Sequence, residues 1–146
     1  MNIKERIKEL SEARQMKLMW QERETFLSRP LVTDLSIIED LWKEIDKSSV
    51  RKRKAYIFVV LYFFSPQKLV GGKISRGVMR ELVSVTKYTK SVLSHNCEDM
   101  VMQYRLYKDF QIMVDEMLQV VVGMLSRKGC NEDVINCMYG KSYKKT

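Results

Sequence analysis

Apolar residues recur along this chain at intervals of three, four or seven, the spacing of helices rather than of strands. Ile3, Ile7, Leu10, Ala13, Met16, Trp20 and Leu27 form one such stripe across residues 3–28. Its first half is lightly apolar, so residues 1–29 are expected to project as a helical arm or to pack only in an oligomer. Arg29-Pro30 ends it, because the residue before a proline is pushed out of helical geometry. A second helix follows, opened by a capping box of Ser36 with Glu39 and burying Ile37, Ile38, Leu41, Trp42 and Ile45.

Ser48 and Ser49 offer a new cap before Arg51-Lys52-Arg53-Lys54 and the run AYIFVVLYFF. The run is rich in β-branched and aromatic residues, which suits a strand. No second run of its kind exists to pair with it, and a lone strand would leave its backbone groups unsatisfied. A buried helix is therefore expected. Ser65-Pro66 opens a short turn of helix that Gly71-Gly72 closes. Ile74 to Val85 reads as the next helix, with Ile74, Val78, Leu82 and Val85 inward. Thr89 starts another, expected to run on into one long helix as far as Lys128. Arg127, Lys128 and Gly129 are its stop signals. Asn131-Glu132-Asp133 caps a last short helix ending near Gly140, and the tail KSYKKT is expected to be loose. The predicted fold class is all-α. Its expected divisions are an arm at 1–29, a core at 30–102, packing helices at 103–140 and a basic tail at 141–146.

Charge changes this picture by where it falls. The 146 residues carry a net charge of +8, yet residues 50–96 alone carry +9. Residues 1–29 hold +2, residues 30–49 hold −3, and the last fifty are neutral. Glu81 is the single acid of the central block. Concentrated positive charge suits a polyanion, because each phosphate neutralised releases condensed counterions.

Within that block lies LVSVTKYTKSVLSHN, Leu82 to Asn96. A helix meets a turn of three or four residues and then Thr89 as the cap of a second helix. This stretch resembles a helix-turn-helix, the DNA-binding motif whose second helix enters the major groove. Leu82-Val83 stand where that family buries an apolar pair, Thr89 where its recognition helix is capped, and Leu93-Ser94 where an apolar residue is often followed by Ser. Two positions depart from the pattern: Lys87 replaces the usual turn glycine, and Val83 a small residue. The wider segment is similar in character to small helix-turn-helix proteins of phages and mobile elements. The resemblance places Val92, Leu93, Cys97 and Met100 inward and Lys90, Ser91, Ser94 and His95 outward, with Asn96 on the border. Lys can donate to guanine, Ser to several bases, and Asn can pair with adenine. Lys73, Arg76, Arg80, Lys87 and Thr89, with Arg51, Lys52, Arg53 and Lys54 further off, would meet the sugar-phosphate rails.

Two seams follow. Met100, Tyr104, Tyr107, Gln111, Val114, Leu118, Val121 and Leu125 make one; Leu106, Phe110, Met113, Met117, Val120 and Met124 make the other. Together they exceed what one neighbouring helix covers, so a homo-oligomer is expected, a dimer first, with Gln111 fixing register.

Other chemistry finds little support. His95 is the one histidine, with no triad spacing around it. Gly71-Gly72-Lys73 has part of a phosphate loop, but Gln67 and Ile74 occupy its other required positions. His95, Cys97, Cys130 and Cys137 could number four zinc ligands, yet no CxxC knuckle is present. No metal, no cofactor and no enzymatic activity are expected. Three cysteines are too few for a disulfide framework and suit a reducing compartment. The charged N-terminus does not read as a signal peptide, and the longest apolar run, ten residues from Ala55 to Phe64, is short of the ~20 that cross a membrane. The expectation is a cytoplasmic, non-enzymatic protein binding double-stranded DNA, a transcription regulator first. A phage DNA-packaging recognition subunit and a helical adaptor for an acidic partner are the alternatives.

Overall fold

The computed structural model describes residues 2–15, 29–95 and 97–139. Met16, Trp20 and Leu27 of the first stripe, Asn96 and the tail 141–146 lie outside the described residues. The fold is all-α. Its helices are α1 (Ile3–Gln15), α2 (Ser36–Glu44), α3 (Val50–Phe64), α4 (Arg76–Thr86), α5 (Lys90–His95), α6 (Cys97–Leu106), α7 (Lys108–Arg127) and α8 (Asn131–Tyr139), with a 3₁₀ turn at Pro66–Val70. No helix among the described residues is long and apolar enough to cross a membrane.

Helix α3 is the axis of the molecule. All ten residues from Ala55 to Phe64 are buried, as a helix apolar on every side must be. The side chain of Ser49 caps it by accepting from the Lys52 N–H at 3.3 Å. Around it stand α2, α6, α7 and the 3₁₀ turn. Aromatic contacts tie these layers together. Phe58 stacks on Tyr104 with centroids 5.1 Å apart and meets Phe110 edge-on at 6.2 Å. Tyr56 donates its hydroxyl proton to the Ile38 carbonyl at 2.6 Å, which satisfies the one polar atom it buries.

Helix α1 lies on this body rather than projecting from it. Ile3 joins the main core, while Leu10 and Ala13 are buried beside Val70 of the 3₁₀ turn. Arg6 is buried on the same side; desolvation lowers its guanidinium pKa, opposed by Tyr62 and Glu9. The turn that α1 covers is closed by Gly71 at φ +92°, and a Cβ on Gly72 would stand 2.7 Å from the Gln67 carbonyl oxygen. Both glycines are thus required by geometry.

Several expected boundaries are corrected. The capping box at Ser36 does not form; the Asp34 carboxylate instead accepts from the Ser36 N–H at 3.0 Å and its hydroxyl at 2.7 Å. Ile74 precedes α4, which begins at Arg76. Asp133 lies within the first turn of α8 and accepts from the N–H and hydroxyl of Thr33, both at 3.1 Å. The long helix expected from Thr89 to Lys128 is broken, with Tyr107 extended (φ −112°, ψ 113°) between α6 and α7. Gln111 secures that break by donating its side-chain N–H to the Tyr104 carbonyl at 2.6 Å. It therefore ties α7 to the end of α6 within one chain.

The break lets α7 turn back along α3. Much of the part of both expected seams that lies on α7 is absorbed there: Phe110, Val114, Met117, Val121, Met124 and Leu125 are buried. The core continues from α2 through α7 across residue 102 without interruption. What stays outward is Met102, Leu106 and Tyr107 near the break, with Ile112 and Val120 further along.

Candidate nucleic-acid interface

Helix α4 carries Val78, Leu82 and Thr86 on its buried side and packs on α2. Arg76 and Arg80, one turn apart, are exposed on its other side. The helix ends at Lys87, whose φ of +63° makes it the sole non-glycine residue in left-handed geometry among the described residues. Its N–H donates to the Val83 carbonyl at 3.0 Å. Left-handed geometry costs a residue with a Cβ about 1–2 kcal/mol, which the surrounding bonds must hold in place. Thr86 supplies two: its hydroxyl donates to the Leu82 carbonyl at 2.7 Å and accepts from the Tyr88 N–H at 3.2 Å. Tyr88 then anchors the turn against Trp42, ring edge to face, at 6.2 Å.

Helix α5 begins after Thr89, whose hydroxyl accepts from the Val92 N–H at 3.2 Å. The helix is therefore side-chain capped at the residue expected. Leu93, Cys97 and Met100 are fully or nearly fully buried and seat α5 and the start of α6 on the core. Val92 is the exception to the expected inner side: it is 43% exposed. A helix of six residues on a short turn has room for a narrow inner stripe alone, and Leu93 fills it. Lys90, Ser91 and His95 are exposed and Ser94 is half-buried. Asn96 lies outside the described residues.

The expected cations fall into two groups. Lys73, Arg76, Arg80, Lys87 and Lys90 are all exposed, and no carboxylate of the described residues stands within 4 Å of any of them. The basic start of α3 is different. Arg51 is ion-paired with Asp109 at the start of α7. Lys54 pairs with Asp99 of α6 at 3.4 Å. Lys52 is half-buried and lies near enough to Asp46 to help hold that carboxyl below its usual range, though the hydrogen bonds from Ser48 do more. Arg53 is half-buried, and its Nε is enclosed with no hydrogen-bond partner among the described residues. Arg51 and Lys54 thus fasten α3 to the α6–α7 corner. Nothing in the local sequence signals those partners, which stand 58 and 45 residues away.

Elsewhere the acids are also engaged. Lys128 meets Asp40 at 2.8 Å and Asp34 at 3.5 Å, tying the end of α7 to the start of α2. Hydrogen bonds from Ser36 are the main cause that lowers the Asp34 pKa, with Lys128 adding to it.

Comparison with protein-family models, with curated proteins and with solved structures found no match to this chain. The site is therefore read from its own residues.

Proposed function

We propose that this chain is a non-enzymatic protein that binds double-stranded DNA, with α5 as the helix that meets the major groove. One observation carries the reading: α5 turns Lys90, Ser91 and His95 to solvent, and Lys73, Arg76, Arg80 and Lys87, which precede it in the chain, are likewise exposed, with no carboxylate partner for any of these five cations among the described residues. An exposed cation that neutralises no neighbour is available to a phosphate. Lys90 and Ser91, in the first turn, would approach base edges, with Ser94 and His95 a turn later. Arg76 and Arg80 on α4, Lys73 before it and Lys87 in the turn would grip the flanking phosphates. Of the basic run, Arg51 and Lys54 are committed to Asp109 and Asp99, so they enter the interface in a secondary role at most.

Regulation of transcription is the activity such a module supports by occupying a site. The outward Met102, Leu106 and Tyr107 favour assembly of two copies, which would double the number of bases read. Binding to duplex DNA, followed by fluorescence anisotropy across a salt series, tests the reading. Four phosphate contacts, from Lys73, Arg76, Arg80 and Lys87, give a log–log slope of about −3.6, so affinity should fall steeply between about 50 and 200 mM salt. Lys90→Ala with Ser94→Ala should relax base preference, each lost base contact costing about 1–3 kcal/mol. Absence of duplex binding at the lowest salt would leave the adaptor reading instead. Sedimentation of the complex separates a regulator dimer from a packaging ring.

A further inference from the structure

A concave site lies between α1, the 3₁₀ turn and α6. The cavity measures about 520 Å³, within the ~300–1,000 Å³ typical of small-molecule sites. Its floor is apolar. Leu69 and Tyr104 are buried, while Ile7, Val70 and Val101 pack against the core and still remain half-open to solvent. Its rim is cationic: Lys4, Lys8 and Arg105 are exposed, against Glu12 as the one acid of the described lining. None of these three cations has a carboxylate within 4 Å among the described residues.

We propose that this cavity binds a small anionic amphiphile, a monocarboxylate with an aliphatic body. The body would cover Ile7, Val70 and Val101, and the carboxylate would meet Lys8 and Arg105 at the rim. Two features favour this occupant over a stretch of DNA backbone. A phosphate rail has no apolar surface to place on the floor, and a concave wall does not fit a convex duplex. Charge complementarity excludes a cationic amphiphile of equal length. Arg105 gives a planar fork suited to a carboxylate, and Lys8 adds a point charge. The inference is independent of the DNA reading, because none of its residues belongs to α4 or α5.

Dodecanoate, kept below its micellar concentration, is the probe, with octanoate, acetate and dodecyltrimethylammonium as comparisons. Calorimetry on the full chain should show saturable one-to-one binding of dodecanoate, weaker binding of octanoate, and none of acetate or the cation. Bound ligand should raise Tm, as any ligand of the native state does. Arg105→Glu and Lys8→Glu change exposed side chains, so the fold should survive, with circular dichroism as the check. Each should weaken dodecanoate binding by about tenfold or more. Val101→Trp should fill the floor and abolish binding. Failure of dodecanoate to bind overturns the proposal. So does equal affinity for dodecyltrimethylammonium, which would mark a merely greasy surface, or unchanged affinity in folded Arg105→Glu and Lys8→Glu.

Discussion

Two basic regions of this chain look alike as sequence and differ as structure. Arg51-Lys52-Arg53-Lys54 is the denser, four cations in four residues. Folding engages it: Arg51 reaches Asp109, Lys54 reaches Asp99, and Lys52 and Arg53 are half-buried. The sparser set, Lys73, Arg76, Arg80, Lys87 and Lys90, stays exposed without a carboxylate partner among the described residues. Net charge therefore overstates how many cations stand clear of a carboxylate among the described residues, and the densest run is the one that folding engages. A cation paired with a carboxylate brings that negative charge to the phosphate with it, which reduces the net charge it offers.

The most direct way to break this contrast is to reverse charge in each region and compare. Arg76→Glu with Arg80→Glu places two acids where the proposed phosphates lie. Like-charge juxtaposition costs several kcal/mol, so duplex affinity should fall by about a hundredfold or more. Arg51→Glu with Lys54→Glu should change duplex affinity far less. Its effect should fall on stability, where it sets acids against Asp109 and Asp99. Anisotropy for binding and denaturant melts for stability read the two outcomes separately. Equal losses of affinity from both pairs would erase the distinction.

A smaller effect comes from the turn itself. Lys87 holds left-handed geometry that glycine accepts without a steric penalty. Lys87→Gly should raise stability by about 1 kcal/mol, visible as a higher midpoint in urea with an unchanged slope. The same variant should lower the salt slope of duplex binding by about 1, since one proposed phosphate contact is gone. A gain in stability with no change of slope would keep the strained turn and remove Lys87 from the interface.

How much of this was legible beforehand depends on the distance over which each feature is decided. The ten-residue run Ala55–Phe64 announced a buried helix because nothing else could pair with it, and Thr89 announced a cap because its hydroxyl acts three residues away. Leu82 was readable as inward from spacing, and Leu93, Cys97 and Met100 from the helix-turn-helix resemblance, which set the exposed Val92 inward with them. What escaped was decided by residues distant in the chain. The interruption at Tyr107 has no proline or glycine to mark it, and the ring that packs against both Tyr104 before it and Phe110 after it is the distant Phe58. Arg6 is a charge in a lightly apolar stretch, and no residue near it in the chain signals that α1 buries it against the body. The pairing of Arg51 with Asp109 was invisible for the same reason, and with it the division of the basic block.

The contrast can be sharpened at the paired end by measuring what those pairs contribute. Arg51→Ala, Asp109→Ala and the double variant form a cycle whose coupling energy isolates the pair. Both side chains are more than half exposed, so the coupling should be no more than about 1 kcal/mol, and smaller in high salt. A coupling of several kcal/mol would make the start of α3 a stability device first and foremost.

The least of the expected effects lies where the acidic segment is tied down. Asp34 has a folded pKa below the ordinary carboxylate value, chiefly through Ser36 and partly through Lys128. A group with a depressed folded pKa stabilises above its unfolded pKa, near 3.9, and loses that contribution as pH falls through the lower folded value. Asp34→Asn should therefore be slightly less stable than the parent at pH 6, and the difference should shrink toward pH 2 in urea melts. Because Asp34 accepts from Ser36 at both its N–H and hydroxyl, Ser36→Ala should reduce the same pH-dependent difference by removing the hydroxyl bond, and with it the one this hydroxyl accepts from Lys128 at 2.6 Å. If the gap between Asp34→Asn and the parent is constant from pH 6 to pH 2, the carboxylate is not ionised on behalf of the fold. The start of α2 would then be held by the Asp40 pair with Lys128 instead.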